Sequence, residues 1–196
     1  MVKKITKTKI IGLFVNDYNR KYYLREMADI LKKPHQTIKP YLEELTEEGI
    51  LVKNERKGIT EYGLNMKDKK IYDYLTLAEK DATMEKLKED TLLRMLFEKL
   101  SDFFIKNTFI VFGSVVSDAK KANDIDLLVI GKQNISKTVK EFEEVYNKKI
   151  HLVQVANVEK LNLTLIKEIY SKHIILNNTE FVVRFFGDLN EKNKLV

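Results

Sequence analysis

Residues 109–131 read FIVFGSVVSDAKKANDIDLLVIG, and two aspartates, Asp124 and Asp126, stand inside a segment that is otherwise a buried strand by composition. In a strand, residues two apart point to the same side, so both carboxylates aim at one place while Ile125 faces the other way. Two like charges held that close are costly unless a cation lies between them. A divalent metal fits, and Mg2+ is typically held by one or two carboxylates together with the phosphates of a substrate. Upstream, Gly113 lets the backbone approach a phosphate with no side chain in the way, and Ser114 offers a hydroxyl and an N–H at the opening of the next turn. These residue types in this order imply chemistry on a phosphorylated ligand, with Mg2+ as cofactor.

The elements that must position these residues follow from the hydrophobic pattern. Strand TFIVFG, strand DIDLLVIG, helix ISKTVKEFEEVYN, strand KIHLVQV and helix NLTLIKEIYSKHIIL alternate, with Val129, Ile130, Val153 and Val155 supplying β-branched runs. Residues 66–106 lack Gly and Pro and are dense in charge. They read as a helical linker over 66–89, followed by a helix that carries Leu92, Leu93, Leu96, Leu100, Phe103 and Phe104 on one face. The fold class expected is α/β in the broad sense, α+β with a small mixed sheet flanked by helices. No internal repeat is visible.

Gly113-Ser114, nine further residues, then Asp124-Ile125-Asp126 between two apolar strands resembles the signature of the DNA polymerase β-like nucleotidyltransferase superfamily, and the short size is similar to its minimal nucleotidyltransferase branch. The resemblance covers about residues 90–187, giving an expected domain over 90–196. It implies that Asp124 and Asp126 hold Mg2+ and that Gly113 and Ser114 grip the triphosphate of a nucleoside triphosphate, with ATP the expected one. A hydroxyl would then attack the α-phosphate and expel pyrophosphate. Active members place a third carboxylate on the following strand. Here that strand reads KKIHLVQV, with His151 at the matching position, while Glu143 and Glu144 lie on the preceding helix. Histidine can take a proton near neutrality but is a poorer partner for Mg2+ than carboxylate oxygen. Two readings stay open: a nucleotidyltransferase acting on a partner protein or an RNA, and a catalytically inactive regulator that senses a nucleotide. His173 reads as a helix-end residue.

Residues 1–65 form a separate pattern. Two short amphipathic helices, around ITKTKIIGLFVN and YLREMADILKK, precede a third that starts near Pro34 and stops at Gly49. Pro40 is tolerated if that helix proper starts near Thr37. Two β-type runs, residues 50–53 and 59–64, flank the turn NERKG. Three helices and a hairpin in this order resemble a winged helix-turn-helix domain, in which the third helix enters the major groove and the wing touches the backbone. Lys33, His35, Gln36, Thr37 and Lys39 cluster at the front of the third helix, and Lys53, Arg56 and Lys57 lie on the wing. The formal net charge is +6, and residues 1–65 hold four of the six surplus positive charges. Double-stranded DNA is the expected partner, with a homodimer in the manner of such regulators. Without cysteine there is no disulfide framework or thiolate metal site. No apolar run approaches membrane-spanning length, so a cytoplasmic protein is expected.

Overall fold

The computed structural model describes residues 4–56, 58–117 and 122–195. The chain is α+β and divides by its internal contacts into a first unit ending at Asp81 and a second beginning at Ala82.

The first unit carries α1 (Lys7–Ile11), β1 (Lys21–Tyr23), α2 (Leu24–Leu31), α3 (His35–Glu47), β2 (Leu51–Arg56) and β3 (Ile59–Leu64), followed by the start of α4 (Ile71–Glu89). Its three-stranded antiparallel sheet has the order β1-β3-β2, with β2 and β3 paired from Leu51↔Leu64 to Arg56↔Ile59. Strand β1 has no counterpart in the sequence reading, because three residues between a turn and a helix leave no alternation to see. The apolar stripe of α3, Ile38, Leu42 and Leu45, is wholly buried, and α3 packs against α1, α2 and β2. Gly49, at φ +74°, supplies the left-handed residue after the helix. Because α3 starts at His35 and not near Thr37, Pro40 is its sixth residue, and the Gln36 carbonyl lacks the N–H it would otherwise receive from position 40. The helix tolerates this because its stripe is anchored in the core.

Ion pairs tie α1 to its neighbours. Lys7 Nζ lies 2.6 Å from Glu48 Oε1 and 2.9 Å from Glu44 Oε2, and the Tyr74 hydroxyl donates to Glu48 Oε2 at 2.6 Å. The hydrogen bond from Lys7, followed by that from Tyr74, holds the Glu48 carboxyl below the ordinary carboxylate range. The same carboxylates raise the Lys7 ammonium above its ordinary value.

In the second unit, α5 (Thr91–Leu100) begins where the Asp90 side chain accepts the Leu93 N–H at 3.0 Å, which breaks it from α4. Then come β4 (Asn107–Phe112), α6 (Ser114–Ser117), β5 (Asp124–Gly131), α7 (Ser136–Tyr146), β6 (Lys149–Val155), α8 (Leu163–Ser171), β7 (His173–Ile175) and α9 (Thr179–Glu191). The mixed sheet has the order β6-β5-β4-β7, with β5 and β6 parallel and the other pairs antiparallel. Alternate strand residues, Phe109, Val111, Ile125, Leu127, Val129, Ile150 and Ile174, join Leu93, Leu96 and Leu100 of α5 and Val139 and Phe142 of α7 in one core. Burial of each such side chain is worth about 1.5–3 kcal/mol.

The sequence reading continues the last helix through His173–Leu176, and this is corrected: α8 ends at Ser171 and residues 173–175 form β7 against β4. A three-residue strand is held by more than its ladder. The Asn177 side chain accepts the Phe109 N–H at 2.8 Å and donates to the carbonyls of Phe104 and Asn107 at 3.0 and 2.8 Å. One side-chain amide thereby pairs three backbone groups that would each cost free energy unpaired.

Candidate functional site

Strand β5 runs through the middle of the site. Ile125 and Leu127 point into the core and are wholly buried, so Asp124 and Asp126 must project from the opposite face, where both are half-buried. Along a strand, two residues on one face are about 6.6 Å apart at Cα, within reach of a shared cation. The register then fixes the neighbours: Asp126 stands between Phe112 of β4 and His151 of β6, and Asp124 stands opposite Lys149.

Gly113 follows Phe112 at φ +75°, a conformation that favours glycine. A Cβ at this position would collide with Asp126 Oδ2 and lie 3.3 Å from Asp126 Cγ. The bare backbone of Gly113 therefore forms one wall of the space that the Asp126 carboxylate occupies. Ser114 is exposed at the start of α6. On the other flank, His151 Nδ1 lies 3.5 Å from Asp126 Oδ1, with the imidazole 81% exposed and the Asp126 side chain 23% exposed. That separation is beyond a good hydrogen bond, so the ring is a neighbour of the carboxylate more than its fixed partner.

Neither Glu143 nor Glu144 of α7 supplies a third carboxylate. Glu143 Oε1 accepts the Ile150 N–H at 2.7 Å and is committed to the start of β6. Glu144 is exposed on α7, beside Asn134, Lys137 and Lys140. Among the described residues no group of three His, Asp or Glu side chains is arranged to hold a metal ion. The donor set is thus two oxygen-bearing carboxylates on one face of β5, which suits a hard cation that completes its shell with water and phosphate oxygens.

Residues 93–182 match the family model of the nucleotidyltransferase domain. The matched segment runs from α5 into α9 and contains Gly113, Ser114, Asp124, Asp126 and His151. No curated protein and no solved structure matches the chain.

Two basic residues at the entry of β6 escape the sequence reading. The Lys148 ammonium donates to the carbonyl of Ala122, two residues before Asp124, and so ties the start of β6 to the approach of β5. Lys149 is exposed opposite Asp124. The signal in the sequence is the pair of lysines just before Ile150 and His151. It becomes informative only when the parallel register puts that segment against the aspartates. His173 lies elsewhere: it is buried at the start of β7, with Nδ1 2.9 Å from the Ile169 carbonyl oxygen and its ring 5.2 Å from that of Phe186.

In the first unit, His35, Gln36, Thr37 and Lys39 are exposed on the first half of α3, and Lys33 is half-buried just before it. Lys39 and Lys53 line one surface hollow together with Glu43, Glu47 and Tyr62. Their ammonium groups have acidic neighbours, Glu43 at 3.6 Å and Glu55 at 3.4 Å. Arg56 ends β2, and Lys57 lies outside the described residues. Among the described residues no helix is long and apolar enough to cross a membrane.

Proposed function

We propose that the second unit binds a nucleoside triphosphate, ATP being the expected one, in a Mg2+-dependent manner and transfers its nucleotidyl group to a hydroxyl of a protein or RNA acceptor. The observation that carries this reading is the row Gly113, Asp126, His151: a glycine wall against a half-buried carboxylate, with a second carboxylate two residues away on the same face. In this reading Asp124 and Asp126 hold Mg2+, which supplies positive charge to the phosphate oxygens when bound. Gly113 and Ser114 receive the triphosphate through backbone N–H and hydroxyl. The acceptor oxygen forms a bond to the α-phosphorus, the bond from that phosphorus to the bridging oxygen breaks, and pyrophosphate leaves. His151 presents Nδ1 to Asp126 and has Nε2 left to take the hydroxyl proton.

The first unit, residues 1–65 followed by the linker helix, is read as a winged helix that docks double-stranded DNA with the front of α3 and the β2–β3 hairpin, in a cytoplasmic, dimeric regulator. Its support is the helix and strand order together with the local excess of basic residues.

A second reading rests on β6. The site face of that strand carries Lys149, His151 and Val153 and no carboxylate, which favours nucleotide sensing without transfer. Incubating the chain with each labelled triphosphate and Mg2+, alone and with RNA or protein acceptors, separates the two. His151→Asp sharpens the result. It is expected to raise transfer while leaving nucleotide affinity nearly unchanged if a missing oxygen ligand limits the rate, and to lower transfer if the imidazole itself takes the proton. No transfer by either form, with Mg2+-dependent binding intact, upholds the sensor and removes the transferase.

A further inference from the structure

We propose that Lys149 is the acceptor-side phosphate contact of this site, taking a phosphate carried by the molecule that supplies the attacking hydroxyl. The inference rests on the nucleotidyl-transfer reading above and adds the chemical class of the acceptor.

Strand β5 lies between β4 and β6, so the aspartates have two flanks across the sheet. One flank ends in the Gly113-Ser114 turn, and the other presents Lys149 opposite Asp124 and His151 opposite Asp126. Strands β4 and β6 are separated by two strand spacings, about 9.6 Å, too far for one phosphate to touch both. The phosphate that meets β6 is therefore a different one from that held at Gly113 and Ser114, and the proposal gives it to the acceptor; a triphosphate that spanned both flanks would instead lose affinity in Lys149→Ala.

That flank is open and its polarity is fixed. Strand β6 is the edge of the sheet, and Lys149 and His151 are exposed on either side of the buried Ile150. Glu143 holds the Ile150 N–H, which pins the strand, and a slip of one residue would turn Lys149 inward. Of the two adjacent lysines, Lys148 is already engaged by the Ala122 carbonyl. The Lys149 ammonium makes no hydrogen bond or ion pair with any described residue. An ammonium is a compact point charge with three donors, suited to a phosphate oxygen. The rival role is counterion to Asp124. No ion pair joins the two side chains, so the ammonium is open to a phosphate before any cation binds at the carboxylates.

The test uses the full chain in metal-free buffer with EDTA. A single-stranded RNA trinucleotide is titrated while backbone amide shifts are followed by NMR, so that contact at β6 is told apart from contact at α3. Saturable shifts at residues 149–153 are expected in the wild type. Lys149→Ala should weaken this binding about tenfold, the usual scale for losing a charged hydrogen bond, and Lys149→Arg should stay within about twofold. Inorganic phosphate at millimolar concentration that displaces the trinucleotide assigns the contact to a lone phosphate, and failure to displace assigns it to the phosphodiester chain. Both uphold the proposal. It is overturned if the wild type shows no saturable shift at β6, or if Lys149→Ala binds the trinucleotide as well as the wild type. Overturning it too would be a tighter divalent affinity with unchanged trinucleotide binding, which makes Lys149 a counterion only, or preferential binding of an uncharged serine-rich peptide at β6. Mg2+-dependent triphosphate binding is measured in parallel and should be unaffected by Lys149→Ala. Its absence in the wild type removes the parent reading, while the metal-free titration still decides the role of Lys149.

Discussion

In the second unit, Gly113, Asp126 and His151 come together because three strands are in register, and each residue's place follows from the backbone pairing on either side. In the first unit, Lys33, His35, Gln36, Thr37, Lys39 and Lys53 spread over a loop, a helix and a strand, and the acidic neighbours Glu43 and Glu55 offset part of the charge. The first kind of site depends on a few positions, and the loss of one should be felt in full. The second depends on a sum over exposed charges, from which single residues can be removed at small cost. That contrast can be broken by experiment.

The largest effect should come from the aspartates. Asp124→Asn together with Asp126→Asn keeps volume and removes the charge that attracts the cation. Mg2+-dependent triphosphate affinity, measured by calorimetry, should fall by roughly 100-fold or more. Thermal stability without metal should hold or rise, because the repulsion between neighbouring carboxylates is relieved. Equal affinity in mutant and wild type would remove the site.

Next in size is Gly113→Ala. The new methyl group meets the Asp126 carboxylate in a backbone conformation with positive φ. Stability to chemical denaturant should drop by more than about 1 kcal/mol and triphosphate affinity by about tenfold. If affinity is untouched, the contrast fails, because the shape of the β4 turn then has no part in binding.

Replacing Lys39, Arg56 and Lys57 by alanine should act gradually. DNA affinity should weaken for all sequences alike, and the log–log slope against salt should fall by about one for each phosphate that is no longer neutralised. An unchanged slope places any DNA binding away from α3 and the hairpin.

The smallest effect is expected at Glu48. Its carboxyl titrates below its ordinary value near 4.5, so its contribution is present above that pH and is lost as pH falls through the lower folded-state value. The Lys7 ammonium is shifted upward, so its contribution is lost only far above neutrality. Glu48→Gln should cost under about 1 kcal/mol at pH 7 and flatten the acid limb of the stability profile below about pH 4.5, read by thermal melts, as befits a pair largely open to solvent.

The placement of Gly113, Asp124 and Asp126 beside one another was legible in the sequence because two aspartates two apart interrupt an otherwise apolar run, and a Gly-Ser pair closes the apolar run before it. That His151 faces Asp126 was anticipated from the resemblance, which implies a carboxylate at the matching place on the following strand. Lys149 was not. Its meaning depends on which residue faces Asp124, and register is a tertiary fact. Strand β7 escaped for a related reason: HII directly follows a helical pattern with no glycine or proline between, and only the free edge of β4 and the Asn177 amide turn it into a strand. Position 40 shows local propensity overridden, since α3 runs through its proline once Ile38, Leu42 and Leu45 are buried.

The order of the sheet also bears on how this chain must be made. Strands β4, β5 and β6 leave the ribosome before β7, which among the described residues is the strand that covers the edge of β4 and which follows some sixty positions after the end of β4. Until 173–177 emerge, Ile110, Val111 and Phe112 present an open row of backbone groups beside apolar side chains, the kind of edge that recruits another nascent chain. Synthesis halted just short of His173 would therefore yield a product with both aspartates in place and a strong tendency to aggregate, so the stretch from His173 onward acts as a built-in guard for the strand that carries the glycine turn.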